Sequence, residues 1–170
     1  CMFLLQSWDF YDQWQFGWEI GKLENSLASG LGISVENVPI AKFPPVYPLI
    51  VGGIFAVLGI YSTASAIALF LLQSVFSSFI AVFLTVLGKR FLGSKEGIIA
   101  GLIWAFYPTS ILYSVKFIWY SEFVVMLVLL QIIVAFAIKR FSLLSRVICL
   151  GALSGLIVMT DSTMVVYPVF

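Results

Sequence analysis

Long apolar runs, separated by short polar breaks, fill most of this chain after residue 63. A helix needs about 20 predominantly apolar residues to cross the hydrocarbon core of a bilayer. The pattern predicts about four transmembrane helices in a domain covering residues 63–170, at 64–88, 97–115, 120–138 and 147–166. The predicted fold class is therefore all-α, in the form of a polytopic transmembrane helical protein.

The apolar run at 49–60 is shorter, with twelve residues, and it follows the proline-rich stretch "FPPVYP". That length is too small to cross a bilayer and is typical of a helix that lies on its surface. We therefore predict an interfacial helix within residues 48–62. Residues 1–47 then comprise the end of a first span and an outer loop.

Part of this outer loop has the periodicity of an amphipathic helix. In "FGWEIGKLENSLASGLGIS" the apolar residues Ile20, Leu23 and Leu27 recur at helical spacing, with polar residues between them. Gly30 and Gly32 follow, and they are expected to end the helix because glycine is favoured at helix C-caps. The outer loop is thus predicted to contain an amphipathic juxtamembrane helix.

The composition is that of an integral membrane protein. The chain is 62% hydrophobic and 10% charged, whereas a soluble domain is about half apolar and about one quarter charged. A net charge of +1 without a basic tract excludes a nucleic-acid partner. The absence of histidine excludes imidazole catalysis and histidine metal sites within these residues. Both ends, Cys1 and Phe170, lie amid apolar residues, so we expect an N-terminal fragment of a longer protein.

The basic residues predict the orientation, since Lys and Arg are enriched in cytoplasmic loops. If residues 49–60 do not cross, two basic clusters lie on one side, which is then the cytoplasm. The clusters contain six of the nine basic residues, namely Lys89, Arg90, Lys95, Lys139, Arg140 and Arg146.

The acidic residues sort to the opposite side, with Glu96 the only one of eight in the cytoplasm. The others lie in the outer loop or toward the outer ends of spans, namely Asp9, Asp12, Glu19, Glu24, Glu36, Glu122 and Asp161. Two explanations stay open. An exposed outer loop must be polar in some way, or the outer face carries an acid/base or cation-dependent site.

Several stretches, taken in order, carry a family resemblance. "SLASGLGIS" is followed by "PPVYPL" and "LGIY", then by "LLQSVFSSFIAVFLTVLGKRFLGSKEGIIAGLIWAFYPTSILYS", "IWYSEFVVMLVLL" and "GALSGLIVMTDSTMVVYP". In this order and spacing, residues 16–168 resemble the polyprenyl-phosphate-sugar glycosyltransferases of superfamily C (GT-C). Within that group the chain is most similar to the protein-mannosyltransferase and aminoarabinose-transferase branch, glycosyltransferase family 39 and its bacterial relatives.

The resemblance implies an enzyme of the cell membrane whose active site faces away from the cytoplasm. Its donor would be a lipid-linked sugar on polyprenyl phosphate, and its acceptor a glycan, lipid or protein. Family members carry juxtamembrane helices in the first outer loop, and their next span runs inward, in agreement with the charge argument. A divalent cation, Mg²⁺ or Mn²⁺, is left open as a cofactor, and membrane lipid is an expected partner.

The resemblance also implies an essential acid in the first outer loop, near the start of the amphipathic helix. Glu19 matches best by position, and Asp9 and Asp12 are the alternates. The implied role is to accept the proton of the attacking hydroxyl, or to help hold a divalent cation beside it. A carboxylate screened from water has a raised pKa and can act as a base. Alternatively, Glu19 is an acid without chemistry that the helix dipole stabilises.

Four further charged residues are candidates for binding substrate. Lys42 lies just before the paired prolines, where some relatives carry a basic residue that meets the lipid phosphate; alternatively it is a snorkelling interfacial lysine. Glu122 lies within an apolar span, where an acid tends to face a cavity, with Lys116 as its partner at the same depth. Alternatively Glu122 is an interfacial acid at a helix start. Asp161 corresponds to a family position near the end of a span, and its role stays open.

Gln73, Ser74, Ser77 and Ser78 are expected to make interhelical hydrogen bonds. Two alternatives to an active enzyme stay open, namely a non-enzymatic multi-pass protein (a transporter or assembly subunit) and a family member that has lost catalysis. A transporter predicts broken helices with polar groups near mid-membrane. Here the ionisable residues concentrate at one interface instead, which favours a site at the membrane surface.

Overall fold

The computed structural model describes residues 19–35, 38–39, 43–137 and 142–169. Across these ranges the prediction of an all-helical class is confirmed, because the only strands are β1 and β2, an antiparallel pair of two residues each. The elements in chain order are α1 (Glu19–Ala28), β1 (Ser34–Val35), β2 (Val38–Pro39), α2 (Val46–Leu58), α3 (Thr63–Phe91), α4 (Ser94–Phe106), α5 (Pro108–Lys116), α6 (Ser121–Ala137), α7 (Leu143–Val158) and a final 3₁₀ helix (Ser162–Val169).

The chain divides into two compact units. The first contains Cys1–Ser74 and Leu112–Trp119, and thus α1, α2, the start of α3 and the end of α5. The second contains Val75–Ile111 and Tyr120–Phe170, and thus the rest of α3, α4, the start of α5, α6, α7 and the 3₁₀ helix.

In the first unit, α1 ends where the sequence predicts it. Gly30 has φ +77°, a conformation that side chains with a Cβ rarely adopt. Its amide donates to the Leu27 carbonyl at 3.2 Å, and the Leu31 amide donates to the Ser26 carbonyl at 2.9 Å. These two bonds form a Schellman motif, which satisfies the last carbonyls of the helix.

Helix α2 packs directly against α1 through Gly52. A Cβ added at Gly52 would lie 3.0 Å from the Cβ of Leu27 and 3.3 Å from the carbonyl oxygen of Glu24. The absence of a side chain therefore lets the two backbones approach closely. The apolar part of the core between the helices is formed by Leu23, Tyr47, Val51 and Phe55, each no more than 2% exposed.

Helix α3 starts after a short connector. The hydroxyl of Ser62 accepts a hydrogen bond from the Ser65 amide at 3.1 Å, as an N-cap residue does. Further along, Gln73 donates through Nε2 to the carbonyls of Phe117 at 2.9 Å and Trp119 at 3.3 Å. Gln73 therefore bonds the connector after α5 and not, as predicted, another helix.

In the second unit, α3 and α4 are also in backbone contact. A Cβ added at Gly88 would lie 2.6 Å from the Cα of Gly97. Elsewhere in this unit, the hydroxyl oxygen of Ser77 on α3 lies 3.0 Å from the hydroxyl oxygen of Ser110 on α5. It also accepts a hydrogen bond from the indole N–H of Trp104 on α4 at 3.1 Å. Ser77 thus links separate helices as predicted.

Helices α6 and α7 are joined by a polar contact of a similar kind. The Gln131 amide on α6 donates to the Ser154 hydroxyl on α7 at 2.8 Å. The Ser74 hydroxyl donates to the Phe70 carbonyl of its own helix at 2.8 Å, and its predicted bond to another helix stays a prediction.

The second predicted span, residues 97–115, is wrong as one continuous helix. It divides at Tyr107, whose backbone is extended with φ −67° and ψ 118°. A residue before proline is disfavoured in the helical region, and Pro108 then starts α5 at the position where proline is tolerated.

Of the helices in the described ranges, α3 is the one whose length and hydropathy suffice to cross a membrane, with 29 residues and a mean hydropathy of 2.3 over an 18-residue window. The helices at the other predicted positions are shorter. They include the apolar α6 and α7, and also α2.

Candidate functional site

Most of the outer-loop residues that are predicted to act in catalysis or substrate binding lie outside the described structure. Asp9, Asp12 and Lys42 lie outside the described residues. Glu19 is the first residue of α1, so its predicted place at the start of an amphipathic helix is found, while its side chain lies outside the described part. The catalytic role of these residues stays a prediction.

Glu24, on α1, is an acidic residue that the structure buries. It lies one turn before the end of α1, with an exposed fraction of 0%. Neither carboxylate oxygen has a hydrogen-bond partner within the part of the chain that the structure describes. Burial penalises the charged form and raises the pKa of this carboxyl well above its usual range. The contact with α2 therefore contains a carboxyl group that favours its protonated state.

Tyr61, in the connector between α2 and α3, contacts both α1 and α2. Its phenol donates to the Gly21 carbonyl at 2.9 Å, which ties the connector to the first turns of α1. Its ring packs edge-on against Phe55, with 5.4 Å between the centroids. Burial, and secondly the charge of Glu24, raise the pKa of Tyr61 to about 12. Tyr61 thus stays a neutral hydrogen-bond donor at physiological pH.

Glu24 was missed as a site residue although the sequence carries a signal for it. The apolar stripe Ile20, Leu23 and Leu27 leaves one position of the i, i+3, i+4, i+7 pattern unassigned, and Glu24 occupies it. An acid inside such a stripe is buried when the stripe packs. By residue type alone Glu24 counts as one of the polar residues between the apolar ones, and its burial appears only once α2 is in place.

Glu122 lies in the first turn of α6 and is 5% exposed. The adjacent Phe123 packs on Phe76, with ring centroids 4.9 Å apart. A carboxylate in the first turn of a helix interacts favourably with the helix dipole. Lys116, its predicted partner, is the last residue of α5, and its side chain lies outside the described part. The pairing of Glu122 with Lys116 stays a prediction.

Asp161 lies beyond the end of helix α7, whereas the sequence predicted one apolar helix through this position. Helix α7 ends at Val158, and Asp161 comes before the 3₁₀ helix. Its Oδ1 accepts from the Thr163 amide at 3.0 Å and from the Thr163 hydroxyl at 2.7 Å. An aspartate that bonds the backbone two residues later forms a turn, which competes with continuation of the helix.

The described residues contain no group of three or more acids and cysteines placed to hold a metal ion. A divalent cation, Mg²⁺ or Mn²⁺, is therefore still left open as a cofactor.

No family model, curated protein or solved structure matches this chain. What the geometry defines is a class of architecture, namely a helical protein in which an acid-containing helix pair precedes one long apolar helix. The GT-C resemblance stays a prediction.

Proposed function

We propose that this chain belongs to a polytopic membrane glycosyltransferase. In this proposal it moves a sugar from a polyprenyl-phosphate donor to an acceptor on the extracytoplasmic face. The donor's isoprenoid tail lies among apolar helices, and its charged head lies at the outer interface near α1 and α2.

The membrane placement is supported by α3 and by the apolar surface of its neighbours. A helix of 29 residues is about 43 Å long, which exceeds the roughly 30 Å of hydrocarbon. Large apolar side chains on α4 and α7 are also exposed, among them Phe106 at 75% and Leu143 at 76%. Large apolar side chains exposed in such number are typical of a membrane or protein interface.

The observation that carries the proposal is the α1–α2 pair. Helix α2 has 13 residues and is about 20 Å long, too short to cross the hydrocarbon. One face is buried against α1, whereas Leu49 and Val57 on the rest of its surface are 53% and 82% exposed. A short helix with one face on protein and apolar residues facing outward suits the membrane surface.

The orientation of α3 completes the argument for an outer site. Lys89 and Arg90 lie in its last turn, and Lys95 follows in the first turn of α4. Basic residues mark the cytoplasmic end of a span. The start of α3, together with α2 and α1, then lies at the extracytoplasmic surface, where the donor head would be.

The proposed chemistry is a direct displacement at the anomeric carbon. The carboxylate of Glu19, or of Asp9 or Asp12, accepts the proton of the acceptor hydroxyl while its oxygen attacks the sugar. The bond to the polyprenyl phosphate breaks, and the phosphate leaves with the electron pair. Glu24 is not assigned this role, because a fully buried carboxyl cannot reach a substrate from the α1–α2 core.

The test uses the full chain in membranes, supplied with a radiolabelled polyprenyl-phosphate sugar. Glu19→Gln, Asp9→Asn and Asp12→Asn are compared with Glu96→Gln, which neutralises an exposed acid on α4. We expect one of the three outer variants to lose transfer by about 100-fold or more, as loss of a general base does, and the control to stay active. Unchanged transfer in all three variants would reject the proposed base.

A non-enzymatic multi-pass protein is the alternative outcome of the same experiment. It predicts no transfer in the unmodified protein with any donor tried. Orientation is checked separately with a reporter fused after Arg90, which we expect to be cytoplasmic. A signal from the outer side would overturn the topology and with it the outer site.

A further inference from the structure

A groove runs along the α3–α4 hairpin in the second unit. Its volume is about 410 Å³, which lies within the roughly 300–1,000 Å³ of ligand-binding clefts. Helix α3 lines it from Ala81 to Lys89, and α4 lines it from Ile98 to Ala105. The stretch from Ala81 to Lys89 corresponds to about 12 Å along the helix axis.

Glycines fix the floor of this groove. A Cβ added at Gly101 would collide with the Thr85 hydroxyl, and one at Gly97 would collide with the backbone of Lys89. The two helices are therefore held in backbone contact. The side chains that flank this contact form walls on a rigid base, so the groove exists before any ligand binds.

The walls are apolar except at one end. Thr85 lies in the groove, but its hydroxyl donates to the Ala81 carbonyl at 2.8 Å and is therefore satisfied. Lys89 lies at the cytoplasmic end of the proposed span. It is exposed and makes no ion pair with any residue that the structure describes. Arg90 next to it is engaged differently, since its guanidinium lies 4.8 Å from the centre of the Phe136 ring.

We propose that the α3–α4 groove binds one acyl chain of an anionic phospholipid, with the lipid phosphate against Lys89. A cation at the mouth of an apolar groove complements an anionic head with an apolar tail. In the proposed orientation Lys89 faces the cytoplasmic leaflet, whereas the sugar donor has its phosphate at the outer surface. The occupant is therefore a lipid of the cytoplasmic leaflet and not the donor. This inference depends on the membrane placement of α3 but not on sugar transfer.

The test measures lipid binding to the full chain, purified in mild detergent, by native mass spectrometry. Phosphatidylglycerol and phosphatidylcholine with identical acyl chains are titrated separately. We expect phosphatidylglycerol to bind more tightly, and Lys89→Gln to weaken its binding about fivefold, which is typical of one basic residue near an anionic head. The control Lys95→Gln makes the same charge change outside the groove, and we expect less than a twofold effect.

Two further variants test the groove itself. Val82→Phe and Ala105→Phe each fill it from a different helix, at positions exposed enough to accept a larger side chain. We expect both to reduce binding of phosphatidylglycerol.

Three results would overturn the proposal. The first is equal weakening by Lys89→Gln and Lys95→Gln, which would show a general surface field. The second is unchanged binding in both groove-filling variants. The third is displacement of phosphatidylglycerol by an equal concentration of polyprenyl phosphate, which would assign the groove to the donor. The first two results do not bear on sugar transfer, whereas the third would place the donor lipid in this groove and would contradict its proposed position near α1 and α2.

Discussion

Replacing Glu24 by glutamine isolates the effect of one buried carboxyl group on the packing of α1 against α2. Glutamine has nearly the same shape but does not ionise. The carboxyl is fully buried, and its oxygens have no hydrogen-bond partner in the described structure. Any difference in pH dependence between Glu24→Gln and the unmodified protein therefore reports the ionisation of this group.

The sign and size of the effect follow from linkage. Burial raises the pKa of Glu24 above its ordinary value of 4.5. Below that value the carboxyl is protonated in the packed and the open state, and the packing free energy does not depend on its charge. At higher pH the packed state holds one more proton, so packing weakens by about 1.4 kcal/mol per pH unit until the raised pKa is passed. Tyr61, with a pKa of about 12, does not titrate in this window.

Hydrogen exchange of the α1 amides measures this opening directly, because local unfolding exposes them. After correction for the intrinsic exchange rate, protection should fall about tenfold per pH unit above pH 4.5 in the unmodified protein. The same amides in Glu24→Gln should show no such slope. Glu96→Gln, at an exposed position on α4, is the matched control and should keep the slope.

Two results would refute this reasoning. Protection that does not change with pH in the unmodified protein would show that Glu24 does not titrate with packing. A slope that survives in Glu24→Gln would assign the pH dependence to another group.

Three further substitutions test the packing. Gly52→Ala should lower the melting temperature in detergent by an amount equivalent to about 1–3 kcal/mol, because the added Cβ would lie 3.0 Å from the Cβ of Leu27 on α1. The control Gly53→Ala, where the space is open, should stabilise the protein slightly through helix propensity. Gly101→Ala should destabilise the α3–α4 hairpin by a similar amount, whereas Gly151→Ala in open space should not, and equal melting temperatures would contradict the backbone contact. Gln73→Leu should lower the free energy of unfolding, measured by chemical denaturation, by about 1–3 kcal/mol, because two backbone carbonyls lose the hydrogen bonds that Gln73 donates. An unchanged free energy of unfolding would show that water replaces the side-chain amide as donor.

Local signals in the sequence predicted local features well. The end of α1 at Gly30 follows from glycine chemistry alone, and the helical class follows from hydrophobic periodicity. The break at Pro108 is also encoded in the sequence, but the high average hydropathy of residues 97–115 hides it, since hydropathy does not register backbone geometry.

The candidate site was harder to predict, because burial depends on contacts distant in sequence. Glu24 is buried since Gly52 lets α2 approach, and Tyr61 reaches Gly21 from forty positions away. Asp161 was misplaced for a different reason. A bond to the Thr163 amide, two residues later, turned an apparent span into a helix end.

The connector between α2 and α3 has a consequence for how this chain tolerates insertions and deletions. Four residues, 59–62, join the two helices, and both Gly59 and Tyr61 adopt positive φ angles of 96° and 52°. An added residue would shift the phenol of Tyr61 out of register with its acceptor on Gly21. The joint at 59–62 should therefore keep a constant length in relatives of this protein.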